Sequence, residues 1–265
     1  MSPPRVSSFA GLLGWAESLL LSSFADMLGS LARLPDGDRC RIGEVLTTIT
    51  SGQELDLDRF GSAREARIAA LESDEELDDY TYRVAGCVGE FWTKMCRAHL
   101  FPTVPLDEAL LFADGVRFGK GLQLVNILRD LPVDLRKGRC YLPTAGLAAN
   151  GLTPQDLLNP AAEPRMREFY RSLLDIARAH LAAGWDYTNA LPRRCLRVRL
   201  ACAWPVLIGT RTLSLLCAGN VLDPNHRIKV NRAEVRKLMV RSLIWHPIPS
   251  RWHRLFDEAG RSLQA

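Results

Sequence analysis

The sequence predicts an all-α fold in a single domain spanning residues 1–265, and three observations predict it. Long stretches repeat their apolar residues at the 3.6-residue helical period. No strand-like alternation lasts more than a few residues anywhere in the chain. No internal repeat and no Pro/Gly/Ser-rich linker divides it. With 47% hydrophobic residues in 265, the chain can bury a sizeable core, which excludes disorder.

The elements follow in order. Residues 7–33 carry Phe9, Leu12, Leu13, Ala16, Leu19, Leu20, Phe24, Met27, Leu28 and Leu31 at helical spacing. Glu17 and Asp26 interrupt that apolar stretch, so it is too short for a membrane span, and its flanks do not fit a signal peptide. Pro35 to Asp38 reads as a turn, and a helix with Ile42, Val45, Leu46 and Ile49 on one side runs from about Arg39 to Ser51. Glu54, Asp56 and Asp58 then alternate in a polar connection. Ser73-Asp-Glu-Glu76 is a capping box, with further acids through Asp79 at the positive end of the next helix. That helix holds Tyr80, Tyr82, Val84, Ala85, Gly86, Gly89, Phe91, Trp92 and Met95. Its small residues suit close approach of a neighbouring helix or an apolar ligand, and its tyrosine hydroxyls need partners if buried.

A further helix begins near Asp107 and reaches a bend at Pro132. Residues 163–190 form a long helix, and residues 196–217 another, kinked at Pro205. Arg193, Arg194, Arg197 and Arg199 crowd the start of the latter, where surface pairing is their ordinary role and contact with a phosphate the sharper one. The stretch Leu243–Phe256 mixes aromatic and basic residues. It suits either a short helix packed on the domain or peripheral contact with a membrane face.

Composition excludes several classes. The net charge is only +4, and no basic stripe interleaves with aromatics, so nucleic-acid binding is not expected. Seven cysteines without a Cys-x-x-Cys pair fit neither a disulfide framework nor a zinc site, and imply a reducing, cytoplasmic setting. The five histidines form no metal-ligand spacing.

The chemistry concentrates in residues 119–143. Asn126, Asp130 and Asp134 stand at i, i+4 and i+8, on one helix face, with Gln123 and Gly119 on the same stripe. Arg136, Lys137 and Arg139 follow. Carboxylates beside cations suit a magnesium–phosphate ligand, because Mg²⁺ takes one or two protein carboxylates and completes its shell with water and phosphate oxygens. The plainer alternative is a solvated, salt-bridged face. Against it stand Gly119 and Gly121, each costing about 1 kcal/mol in a helix, and Pro132 between the two aspartates.

The string from Gln123 to Pro143 resembles the second aspartate-rich motif of the squalene/phytoene synthase family. Tyr80-Thr-Tyr82-Arg-Val-Ala-Gly86-Cys-Val-Gly89 resembles that family's Tyr-x-Tyr-x-Val-Ala-Gly-x-Val-Gly segment, and Gly52 to Leu57 resembles its Gly-Met-x-x-Asp-Leu turn. The motifs occur in the family's order, over roughly residues 10–235. The resemblance implies a helical bundle of the class I isoprenoid synthase type. It implies head-to-head condensation of two prenyl diphosphates, commonly farnesyl diphosphate. By position, Asp130 and Asp134 would ligate Mg²⁺, while Gln123 and Asn126 would orient the diphosphate. Arg129 and Arg139 would pair with phosphate oxygens, and Tyr80 or Tyr82 would face the carbocation or diphosphate. Asp56 is a secondary candidate at the rim of the site.

One departure bears on activity. The family's earlier Asp-x-x-x-Asp/Glu motif has no counterpart before Gly52, where no two carboxylates lie four apart, so the first helices of the fold are expected to be missing. A non-catalytic relative that binds a prenyl lipid or a partner enzyme is the alternative. Product identity, NADPH use and oligomeric state are not decided by the sequence.

Overall fold

The computed structural model describes residues 19, 22–223 and 227–261. Two compact units make up the chain, residues 1–44 and 45–265. Most of the helix expected over residues 7–33 lies outside the described residues; the described part forms α1, Phe24–Leu31. Helix α2 follows at Asp36–Phe60, where Arg39 pairs with Asp36 at 2.6 Å and Arg41 with Asp38 at 3.0 Å.

In the second unit, α3 (Asp74–Thr81), a π-helical turn (Tyr82–Gly86) and α4 (Cys87–His99) form one continuous helical rod. Helix α5 (Glu108–Arg136) comes next, then short α6 (Thr144–Ala149) and two 3₁₀ turns. Helices α7 (Glu163–Ala190), α8 (Leu196–Ala218), α9 (Arg232–Trp245) and α10 (Pro249–Gly260) complete the chain. The all-α expectation holds. Among the described residues the strands are the two-residue β1 (Ala69–Ala70) and β2 (Arg139–Cys140), paired in parallel.

Helix α5 is the hub, with α7, α4, the π turn and α8 packed around it. Its apolar residues Leu124, Val125, Ile127, Leu128, Leu131 and Leu135 anchor one buried cluster with Leu173, Leu174, Ala177 and Leu181 of α7. A second cluster joins Trp185, Leu200, Val206, Leu207, Trp252 and Leu255. Helix α8 is long and apolar enough to cross a membrane by length and composition, but 61% of its apolar window is buried inside the protein. It is a core helix.

Three expectations are corrected. The connection predicted after Ser51 is helical, because α2 runs on to Phe60. Gly52, Asp56 and Phe60 fall at i, i+4 and i+8 and face inward, whereas Glu54, Leu57 and Asp58 are exposed. The family-like turn at Gly52–Leu57 is therefore a helix face. The capping box is only half made: Ser73 accepts from the Glu76 backbone N–H at 3.4 Å, but the Glu76 carboxylate turns to the Glu72 N–H at 2.7 Å. Finally, α5 does not end at Pro132 but continues to Arg136. A proline at 132 has no N–H for the carbonyl of Leu128. The buried hydroxyl of Tyr170, from α7, donates to that carbonyl at 2.9 Å and satisfies it.

Candidate active site

The site is built along α5, starting from how closely its neighbours approach. A Cβ on Gly119 would stand 2.1 Å from the Ala85 carbonyl oxygen, and one on Gly121 would stand 3.0 Å from His180 Cβ. Both glycines therefore have packing reasons. Gly89 and Gly115 meet in the same way, with 1.8 Å between a Gly89 Cβ and the Gly115 carbonyl oxygen. The π turn sits at this crossing and offsets the rod by one residue.

Beside the crossing opens a cavity of about 410 Å³. Val84, Val88 and Trp92 form one wall, Phe118 and Leu122 of α5 a second, and Ala201, Cys202 and Pro205 of α8 a third. Gln123 and Asn126 close its polar end, and neither amide hydrogen-bonds to any described residue.

One and two turns beyond Asn126 come the carboxylates. Asp130 is not open. Arg129 grips both of its oxygens, and Arg227, from the connection before α9, donates to Oδ1 at 3.1 Å. Burial works against this carboxylate, but the hydrogen bonds and charges of the two arginines outweigh it and hold the group below its ordinary range. Asp134 contrasts with it. No hydrogen bond to a described residue satisfies it, and burial pushes its carboxyl up, helped by Asp130 and Asp56 and opposed by Lys137 and Arg139.

The chain leaves α5 through Gly138, which has φ +79 and whose missing Cβ would fall 2.2 Å from the Arg64 backbone nitrogen. Only glycine suits that turn. The β1–β2 pairing then fixes the register, so Arg139 and Tyr141 project to the same side. Both reach Asp56 of α2: Arg139 Nη1 donates to Oδ2 at 2.9 Å and the Tyr141 hydroxyl donates to Oδ1 at 3.2 Å. Tyr80 stacks on Tyr141 with ring centroids 4.9 Å apart. Burial pushes the Tyr80 hydroxyl well up, reinforced by Tyr141 and by the charges of Asp56 and Asp134, so it stays protonated and can donate.

The expected site residues therefore divide. Gln123 and Asn126 line the cavity, and Asp130, Asp134, Arg139 and Tyr80 form a charged cluster further along α5. Tyr82 belongs to neither: its hydroxyl donates to Glu90 at 3.4 Å and Lys120 lies over its ring. Two positions along the helix are about 200° of rotation, which turns it away from Tyr80. Arg129 and Arg139 are present but occupied by aspartates. Arg193 contacts the Pro247 carbonyl, and Arg199 is buried against the carbonyl of Leu191 and the side chain of Asn189. Arg227, Tyr141 and Tyr170 were not among the residues expected here, and Asp56, a secondary candidate, is brought to Arg139 and Tyr141. Tyr141 lies within the aspartate-rich motif, so its i+2 relation to Arg139 could have raised it. Arg227 and Tyr170 are recruited from 97 and 42 residues away and carry no local signal.

Among the described residues, no group of three His, Cys, Asp or Glu side chains could hold a metal by itself. The donor set fits Mg²⁺ only in the mode that shares the ion with phosphate oxygens. Asp134, half-buried and with no hydrogen bond to its carboxylate among the described residues, is the better-prepared ligand.

The model of the squalene/phytoene synthase family matches residues 19–234. A 15-cis-phytoene synthase of Synechococcus elongatus is 36% identical over 139 residues, covering 50% of this chain and 42% of the relative. A bifunctional lycopene cyclase/phytoene synthase of Colletotrichum graminicola is 33% identical over 150 residues, 56% of this chain and 25% of the relative. The chain thus spans well under two thirds of these relatives. TcSQS in complex with the ligand BPH1237 superimposes with a TM-score of 0.74 at 18% identity, over 96% of this chain and 71% of that one. That likeness establishes the fold.

Proposed function

The chain belongs to the squalene/phytoene synthase family, and on that premise we propose that it condenses two prenyl diphosphates head to head, with farnesyl diphosphate as substrate. One observation carries the reading. Along a single helix face, α5 presents apolar Phe118 and Leu122, then the unengaged amides Gln123 and Asn126, then Asp130 and Asp134. A molecule with an apolar tail and an anionic head matches that order.

Asp130 and Asp134 would hold Mg²⁺ together with phosphate oxygens. When bound, the ion supplies positive charge where the departing diphosphate gathers negative charge. The chain's own residues do the rest. Gln123 and Asn126 orient the head group by hydrogen bonds. Arg129 and Arg227 exchange their present partner, Asp130, for phosphate oxygens, as guanidinium groups readily do. Arg139, fixed by Asp56, extends the positive field. Tyr80 donates its hydroxyl proton toward the head group. The cavity walls exclude water from the allylic cation left behind.

Incubation with farnesyl diphosphate and Mg²⁺ tests the proposal directly. Diphosphate release with formation of a C30 hydrocarbon or its cyclopropyl precursor is the expected result. A folded protein that binds the substrate but releases no diphosphate would refute it.

A further inference from the structure

A second cavity, of about 500 Å³, opens between α8, α9 and α10. Glu234, Lys237, Leu238 and Arg241 stand at i, i+3, i+4 and i+7 on α9 and supply one wall. Arg211 of α8 supplies a second, and Glu258 and Ala259 of α10, with Arg261 just beyond it, a third. Leu238 and Ala259, both buried, are its apolar part. None of these residues lines the cavity beside Gln123 and Asn126.

Ion pairs between helices hold these walls in place. Arg211 is only 6% exposed; its Nε donates to the Glu234 carboxylate and its Nη1 to the Arg261 carbonyl at 3.1 Å. One buried guanidinium therefore ties α8 to α9 and to the end of α10. Arg241 pairs with Glu258 and ties α9 to α10. Both acids of the lining are thereby engaged. Lys237 and Arg261 remain, exposed at the cavity's edge, and neither pairs with a carboxylate among the described residues. Asn231 and Ala233 bring the positive end of α9 to the same lining. Asp257 is the remaining acid of α10; it is exposed, lies outside the lining and stands i+3 from Arg254, whose charge offsets it.

We infer that this second cavity binds a small phosphate ester. Two cations without counter-ions match a phosphate monoester, which carries about two negative charges at neutral pH. Lysine offers phosphate oxygens a point charge and arginine a planar fork, and both modes are present in Lys237 and Arg261. The volume lies in the range that holds small molecules, and Leu238 and Ala259 give the ester's carbon body an apolar contact. Nucleic acid would need an extended basic stripe instead of a three-walled cavity. No residue of the aspartate face takes part, so the site stands whether or not the chain condenses prenyl diphosphates.

Isothermal titration calorimetry with glycerol 3-phosphate, without Mg²⁺ and at constant ionic strength in chloride, tests it without reference to activity. The wild type is expected to bind. Lys237→Gln with Arg261→Gln should weaken binding on the order of a hundredfold, a factor of about ten for each charge-assisted contact, with an unchanged circular dichroism spectrum. Lys237→Arg, which keeps the charge, should retain most of the affinity. Arg227→Gln, beside Asp130, should leave it unaltered. No binding by the wild type would overturn the inference, as would equal affinity for neutral glycerol. A loss in the Arg227 variant that the Lys237/Arg261 variant does not share would put the anion on the aspartate face and overturn it too.

Discussion

The two halves of helix α5 are built on opposite terms. From Gly115 to Gly121, everything unusual in the sequence is explained by close backbone packing: glycines meet the backbones of α4, the π turn and α7. From Gln123 to Arg136, what is unusual is explained by polar partners or by none. Pro132 depends on Tyr170, Asp130 on Arg129 and Arg227, and Gln123, Asn126 and Asp134 have no hydrogen-bond partner among the described residues. The first half is optimised for the folded chain. The second half carries polar groups that folding alone does not reward, which is the usual condition of a binding site.

The contrast is sharpest at Asp134, where loss of function and gain of stability should coincide. Asp134→Asn is expected to lower diphosphate release from farnesyl diphosphate by about 10²- to 10³-fold, the usual cost of removing one charge-stabilising group. It should also raise Tm at neutral pH in the absence of substrate and metal. The sign follows from the raised carboxyl. The folded state holds the proton more tightly than the unfolded state, so above the ordinary carboxylate range the ionised side chain weakens the fold. As pH falls below the raised folded-state value, the deficit relative to the variant should begin to shrink, and it should vanish only below the ordinary carboxylate range, where both states are protonated. A variant that lost activity and stability together would place Asp134 with the packing half instead.

The converse holds for Gly119. Its added Cβ would lie 2.1 Å from a backbone oxygen, which no side-chain rotation relieves. Gly119→Ala should therefore cost about 3 kcal/mol by urea denaturation, at the upper end of overpacking penalties. Gly43, an exposed helical glycine with nothing within 4 Å of an added methyl, gives the control. Gly43→Ala should stabilise by about 1 kcal/mol, the helix-propensity difference alone.

These cases also mark what the sequence could disclose. The helices over 163–190 and 196–217 were legible because apolar periodicity records which face is buried. The aspartate face was legible because i, i+4, i+8 is itself a statement about geometry. Asp56 was obscured because acids at alternate positions look like a surface loop until Arg139 and Tyr141 are brought to it from 83 and 85 residues away. Pro132 announces only its local effect, a helix stop, since nothing nearby signals a hydroxyl from α7.

That last pairing allows a quantitative test of long-range repair. Tyr170→Phe removes the donor from the Leu128 carbonyl and leaves it buried and unpaired, at about 1–2 kcal/mol. Pro132→Ala supplies a backbone N–H to the same carbonyl. In the double variant the loss at Tyr170 should therefore shrink toward zero, giving a coupling energy of about 1 kcal/mol in a double-mutant cycle. Additive effects would mean that the hydroxyl is not what lets the helix pass the proline.

A final comparison separates the two tyrosines. Tyr80 stacks on Tyr141 within the Asp56–Arg139–Asp134 cluster, whereas Tyr82 faces Glu90 and Lys120. Tyr80→Phe keeps the stacked ring and removes only the hydroxyl, so turnover should fall about tenfold, the worth of one hydrogen bond of about 1.4 kcal/mol. Tyr82→Phe should leave turnover within about twofold, because its hydroxyl bond is long and part-exposed. The two residues belong to one sequence motif and differ by a single hydroxyl's surroundings. Equal losses would show that the π turn rearranges when substrate binds and brings Tyr82 to the charged cluster; unequal losses in the stated direction tie the chemistry to the face of α5 that begins at Gln123.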